Sequence, residues 1–325
     1  MTIFFALLLA AAPQDAARLG VATGGAAVEA KAPGAEDFTP LAAGSGVAPG
    51  AWIRTPLGVR AAFDFADGTE LRVDGRSEVL IAGPRKAELR KGRVYARIAK
   101  GAPFELRTEF APVTCEAGEI DVAHLPPPKA GIQSLTTVSV LDGMAEVRAR
   151  RYGQKVTGGY ACNVVGAQLN TPDLIAEPAL ETDWVHPILR ARGKAGPEVD
   201  WRVRDMLGRL AAQAKDDPYE RALGELGDLA VPALADYLGF VPSPIEAARR
   251  AAAARIVGQA ATLASAPRLL GLLGNAEAAP RVQAAHALGR IAGKNLGFPD
   301  SYWNGPSHAD GKAAWEAWVK ESVPK

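Results

Sequence analysis

The period of the hydrophobic pattern changes near residue 170, and this limits the chain more than any other feature. Before that point apolar residues alternate with mixed ones in short runs closed by turn residues, whereas after it they recur at helical spacing. A period of two lays apolar groups on one face of a pleated strand, and a period of 3.6 lays them along a helical stripe. The two patterns predict two units of different class rather than one mixed core.

In the first half, Val59–Phe65 alternates and meets the turn Asp67-Gly68, after which Leu71-Arg72-Val73 continues. Asp-Gly between alternating runs is a strong hairpin signal. Further runs are Val79–Ile81 before Gly83-Pro84, Ala87–Leu89 before Lys91-Gly92, Val94–Ile98 before Lys100-Gly101, and Phe104–Thr108 before Pro112. Val138–Leu141 then meets Asp142-Gly143, and Met144–Val147 follows. Strands spaced roughly 8–12 residues apart predict an all-β sandwich or barrel-like domain.

In the second half, Ser243-Pro244-Ile245-Glu246 reads as a capping box opening a helix that ends at Gly258. Ser265 caps a second helix ending at Gly274, and a third runs from Pro280 to Gly293. An internal repeat is present: Ala222, Ala253 and Ala284 are 31 residues apart, as are Leu226-Gly227, Val257-Gly258 and Leu288-Gly289. Pro232 and Pro267 stand near the start of the helices that follow. Helical pairs with such a period predict an all-α domain, a short α-solenoid of two to three units.

Ile3–Ala12 is an unbroken apolar run too short to cross a bilayer. With Ala10 and Ala12 as a small-x-small step, it predicts a secretory signal within residues 1–17, and hence a periplasmic or otherwise extracytoplasmic protein. The alternative is an N-terminal apolar segment such as a buried strand. The expected division is then a β domain at 18–169, a linker at 170–196 that packs on one domain through Trp184 and Val185, and a helical domain at 197–325.

Lys+Arg 37 against Asp+Glu 36 leaves a net charge of +1, without the basic surplus of a nucleic-acid binder. No apolar run approaches the length of a membrane span. The two cysteines, Cys115 and Cys162, are too few for a disulfide scaffold or a zinc module. They are either two buried thiols or, after export, one disulfide worth roughly 4 kcal/mol by loop closure.

The ordered set Gly50-Ala51-Trp52-Ile53-Arg54-Thr55, Ala66-Asp67-Gly68-Thr69-Glu70-Leu71-Arg72-Val73, Glu88–Val94, Phe104-Glu105-Leu106-Arg107-Thr108 and Val140–Val147 resembles the FecR domain over about residues 18 to 168. The resemblance implies a β-rich extracytoplasmic module. FecR proteins relay a signal from an outer-membrane receptor to a cytoplasmic sigma factor, through a cytoplasmic segment and a membrane span. Here only about a dozen residues precede the expected cleavage point, so the module is implied rather than the relay. The second half is similar to HEAT repeats over about residues 197 to 322. Leu296–Asp300, Trp303 and Ala314-Trp315-Glu316-Ala317-Trp318 resemble the terminal cap of such a stack, with an aromatic ligand shelf as the alternative.

No motif for catalysis, a cofactor or a metal emerges. His124, His186, His286 and His308 lack metal-ligand spacing, and G-x-S-x-G and phosphate-loop motifs are missing. Asp64, Asp67, Glu70 and Asp74 read as hairpin chemistry rather than a calcium loop. The densest charge is basic, where Arg93, Tyr95 and Arg97 alternate on one strand face. That face is a candidate for an anionic ligand such as an envelope polysaccharide, or a solvated surface. The expected function is a non-enzymatic envelope protein that binds a protein partner, the alternative being a component of FecR-type transmembrane signalling that works through a separate membrane partner.

Overall fold

The computed structural model describes residues 15–129, 131–210, 216–240 and 246–323. The expected signal run and the cap Ser243-Pro244-Ile245 lie outside the described residues. The chain forms two compact units, Met1–Ala176 and Glu177–Lys325.

The first unit is all β. Its strands are β1 (Ala17–Thr23), β2 (Val28–Lys31), β3 (Thr39–Leu41), β4 (Gly46–Val47), β5 (Ala51–Arg54), β6 (Arg60–Phe65), β7 (Glu70–Val73), β8 (Glu78–Gly83), β9 (Lys86–Ile98), β10 (Phe104–Arg107), β11 (Pro112–Leu125), β12 (Leu135–Ala149), β13 (Tyr152–Thr157), β14 (Tyr160–Val165), β15 (Gln168–Leu169) and β16 (Asp173–Leu174). One run of neighbours is β4-β1-β6-β7-β9-β11-β12-β14-β15, and a second leaves β9 through β8, β5, β2 and β3. Pairing is antiparallel except between β9 and β10.

Three long strands each pair with different neighbours along their length. The first part of β9 pairs with β8 and its second part with β7 and β11. β11 pairs first with β10 and then with β9, and β12 first with β14 and then with β13. Each strand changes partners at a glycine. Gly118 (φ +129°) faces Gly143 (φ +79°), and a Cβ on Gly118 would lie 2.3 Å from the Asp142 carbonyl oxygen. Strands that switch partners at bulges form the corners of a sandwich. The turns expected at Lys91-Gly92 and Asp142-Gly143 are therefore bends inside β9 and β12, because both flanks of each glycine remain in the ladder.

The alternating residues converge on one core. Leu19, Phe63, Leu71, Val94, Val122, Val138 and Val140 meet Ile53, Ile81, Leu89, Phe104, Leu106 and Val147, all with essentially no exposure. Phe65 and Phe104 pack edge to face, with ring centroids 5.6 Å apart.

The second unit is helical, with α1 (Pro178–Glu181), α2 (His186–Arg192), α3 (Pro197–Arg209), α4 (Pro218–Leu226), α5 (Val231–Gly239), α6 (Ala247–Ala260), α7 (Ala266–Leu272), α8 (Ala278–Ala292), α9 (Asp300–Asn304) and α10 (Ala309–Ser322). Segment 170–196, expected as a linker, instead contributes β16 to the first unit and α1 and α2 to the second. Burial is the reason, since Trp184, Val185, Ile188 and Leu189 are all core residues.

The helices pack in two layers, α1-α3-α5-α7-α10 and α2-α4-α6-α8-α9, with consecutive pairs α3/α4, α5/α6 and α7/α8 crossing between them. The 31-residue period sets this registry. Ala222, Ala253 and Ala284 are fully buried at matching positions of α4, α6 and α8. Pro232 and Pro267 open α5 and α7, where a missing N–H costs nothing. α6 does not end at Gly258. A Cβ there would meet the Gln283 side chain at 2.4 Å, so Gly258 lets α8 approach inside a continuing helix.

Three buried arginines tie the turns together. Arg250 donates to the carbonyls of Tyr237 (3.0 Å) and Leu238 (2.7 Å) and pairs with Glu277 at 2.6 Å. Arg281, 31 residues on, donates to the carbonyls of Asn275, Ala276, Trp303 and Gly305. Arg202 reaches the Thr182 hydroxyl at 2.5 Å. Carbonyls at helix ends lack intrahelical partners, and a guanidinium satisfies several at once. Trp303 and Trp315 are each 1% exposed, which makes both part of the core.

Candidate functional site

Arg93, Tyr95 and Arg97 share one face of β9, as their alternation predicts, but neighbouring strands surround them with carboxylates. Register sets Arg72 and Asp121 opposite Tyr95, and Glu70 and Glu119 opposite Arg97. Arg93 Nε donates to both Asp121 carboxylate oxygens, at 3.0 and 2.9 Å. The Tyr95 hydroxyl donates to Glu119 at 2.6 Å. Arg72 donates to Glu70 at 2.6 Å, with its guanidinium 5.0 Å from the Tyr95 ring centroid. Arg97 lies 3.6 Å from Glu70.

Glu70, Arg72, Tyr95, Glu119 and Asp121 are all buried. The stripe holds three arginines against three carboxylates, so it carries no surplus of positive charge. Arg93 and Arg97 are conspicuous in sequence because both lie on β9. Their acidic partners are spread over β7 and β11, where only the pairing reveals them.

Cys115 and Cys162 are free and buried. Cys115 pairs with Ala145 and Cys162 with Val138, on opposite edges of β12. Seven residues at ~3.3 Å each put on the order of 20 Å of strand between those points, against a disulfide limit of about 7 Å between Cα atoms. The disulfide is thus replaced by the other reading, two thiols in the core. Burial raises the pKa of the Cys115 thiol and pushes that of Cys162 up to about 11.

The histidines do not converge either. His124 is 1% exposed, with Nδ1 2.8 Å from the Thr136 hydroxyl, which in turn meets Thr108 at 3.2 Å. Burial lowers the His124 pKa. His186 is buried as the first residue of α2, and His286 pairs with Asp300. Among the described residues, no group of three or more His, Cys, Asp or Glu could hold a metal ion, and no helix is long and apolar enough to cross a membrane.

Two adjoining concavities lie on the α3-α5-α7 layer. One, of about 850 Å³, is lined by Asp200, Arg204 and Leu207 of α3, Pro232, Asp236 and Tyr237 of α5, and Arg249 of α6. A second, of about 820 Å³, adjoins it over α5 and α7, and the two share Asp236, Phe240 and Arg268. Both volumes are in the range of ligand-binding clefts. Arg268 bridges to Asp236 at 2.8 Å across the layer, and Arg249 donates to the Gly208 carbonyl at 3.2 Å. Phe240 is 71% exposed at the shared wall. The groove thus combines an apolar floor, charges of both signs and a large unburied aromatic ring.

Sequence reasoning missed this groove, although a signal was present. Arg204, Asp236 and Arg268 are spaced by 32, close to the period that sets the core alanines.

No curated protein matches the chain. Two crystal structures of a candidate anti-sigma factor from Parabacteroides distasonis are similar, at 17% and 18% identity and TM-scores of 0.35 and 0.36. Each match covers 42% of this chain and 64% of the other, less than two thirds of its length. The family profile described as FecR protein matches residues 51–146, from the first residue of β5 into β12 and wholly inside the β unit.

Proposed function

We propose that this chain is a non-catalytic, extracytoplasmic binding protein, in which a FecR-type β module is joined to a HEAT-like helical stack that holds a protein partner in its α3-α5-α7 groove. The observation that carries the reading is the FecR match on residues 51–146, in the same chain as a two-layer helical array with a period of 31. The apolar run Ile3–Ala12 supports export. The groove supports partner binding, because repeat arrays present extended surfaces built by successive helices. The matched charges of the β9 stripe weigh against an acidic polysaccharide as its ligand.

Photo-crosslinking in cells tests the reading, with a photoreactive residue in place of Ala233 or Phe240 in the full chain. The expected result is a discrete crosslinked protein in the extracytoplasmic fraction, lost when Arg204→Glu and Arg268→Glu are combined. Recovery of the chain in the cytosol, or crosslinking indifferent to those substitutions, would overturn it.

The FecR match also favours a second reading, regulation of FecR-type signalling through a separately encoded membrane partner. Deletion of the gene should then change expression of a small defined set of genes. An unchanged transcript profile would remove this reading and leave the first intact.

A further inference from the structure

A smaller cavity, of about 450 Å³, lies at the C-terminal end of the helical stack, away from the groove residues. It is lined by His286 on α8, Lys294 and Asn295 in the turn after it, Phe298, Asp300 and the tryptophans Trp303 and Trp315. The local sequence explains the placement. Gly293 closes α8 in the left-handed conformation (φ +65°), and the Lys294 N–H returns to the Gly289 carbonyl at 3.2 Å. The chain then reverses, and Asp300 at the start of α9 comes within 2.7 Å of His286 Nε2.

The floor is aromatic and rigid. Half-buried Phe298 packs tilted against Tyr302, with centroids 4.8 Å apart, and edge to face on Trp303 at 6.1 Å, while Trp303 and Trp315 are buried and hold it from beneath. The rim is polar and has spare hydrogen-bonding capacity. Asn295 Oδ1 accepts from the Gly297 N–H at 3.2 Å, which leaves its amide N–H groups free. Among the described residues, the Lys294 ammonium and Asp300 Oδ2 have no hydrogen-bond partner. His286 and Asp300 are both more than half exposed, 51% and 59% by side chain, so each can still engage a ligand.

We propose that this cavity is a binding site for a neutral saccharide ring, with Asp300, His286, Asn295 and Lys294 as its hydrogen-bonding rim and Phe298, backed by the buried tryptophans, as its aromatic floor. Two features select this ligand class. The formal charges of Lys294 and Asp300 cancel, so neither an anion nor a cation finds a net opposite charge. Donors and an acceptor stand side by side on an apolar aromatic surface, which suits a ring bearing hydroxyls at its edge and C–H groups on its face. The volume of about 450 Å³ is within the range of small-molecule pockets. The proposal goes beyond the partner reading and uses none of the groove residues.

Calorimetric titration of the full-length protein with chitotriose, cellotriose, laminaritriose and maltotriose tests it, with tryptophan fluorescence followed in parallel. At least one should bind saturably and shift the emission. Asp300→Ala and His286→Ala should each weaken it at least tenfold, and both substitute exposed side chains, so the fold should survive. Arg268→Ala, in the groove, should bind unchanged. Absence of binding by all four sugars would overturn the proposal, as would equal binding by Asp300→Ala. Competition by inorganic phosphate or tetramethylammonium would also overturn it, by revealing an ion site. Each of these outcomes leaves the crosslinking test of the groove unaffected.

Discussion

At the residue scale, buried groups with displaced protonation give the plainest expectations. The Cys162 thiol has a pKa of about 11 and that of Cys115 is also raised, both by burial. The thiolate is the reactive form, so neither should react quickly with a disulfide reagent at neutral pH. Both should react at once in denaturant without prior reduction. Fewer than two reactive thiols per unfolded chain would count against the free-thiol arrangement. His124 has its pKa lowered in the fold from an ordinary 6.5. The unfolded chain therefore takes up a proton first as pH falls. The stability associated with neutral His124 is complete above pH 6.5 and declines as pH drops toward the lower folded value. Urea midpoints at pH 7.5 and 5 should differ more for the native chain, with the lower midpoint at pH 5, than for a folded His124→Leu variant. Equal slopes would show that His124 does not titrate in this way.

At the element scale, the corners and helix ends matter most. Gly118→Ala would set a Cβ 2.3 Å from a carbonyl at a positive φ of +129°. A loss of about 2–4 kcal/mol is expected in chemical denaturation. The same change at Gly83, where a Cβ meets nothing within 4 Å, should be mild by comparison. Arg250→Ala would leave two helix-end carbonyls and Glu277 without their guanidinium, for about 3 kcal/mol. Arg250→Lys should recover only part of this, since a single ammonium cannot reproduce the fork. Loss of less than a tenth of that amount in Arg250→Ala would refute the locking role. The Asp217 carboxylate accepts from the N–H groups of Tyr219 and Glu220 at the start of α4. Asp217→Ala should therefore cost roughly 1 kcal/mol, with the loss confined to the helical unit. Most strand positions could be read from alternation. β9 and β12 were divided too early because a glycine in a ladder looks the same in sequence whether it turns the chain or bends it.

For the whole molecule, each unit has its own core, so residues 15–176 expressed alone should give a β-type circular dichroism spectrum and one cooperative melt. A fragment that stays unfolded would show that its core is incomplete. Class and order of the units were legible in the amino-acid pattern, because period two and period 3.6 demand different backbones whatever surrounds them. The helical registry was legible for a related reason: repeated alanines mark where helices must approach. Other features depended on which strands and turns become neighbours. The boundary at Ala176 was set by burial of Trp184 and Val185, and the cysteines were kept apart by the partners of β12. The charges on β9 were matched from β7 and β11, and His286 met Asp300 only because Gly293 reversed the chain. Local periodicity is a property of the chain itself, whereas charge matching and cavity lining arise from residues far apart in sequence, and only packing brings those together.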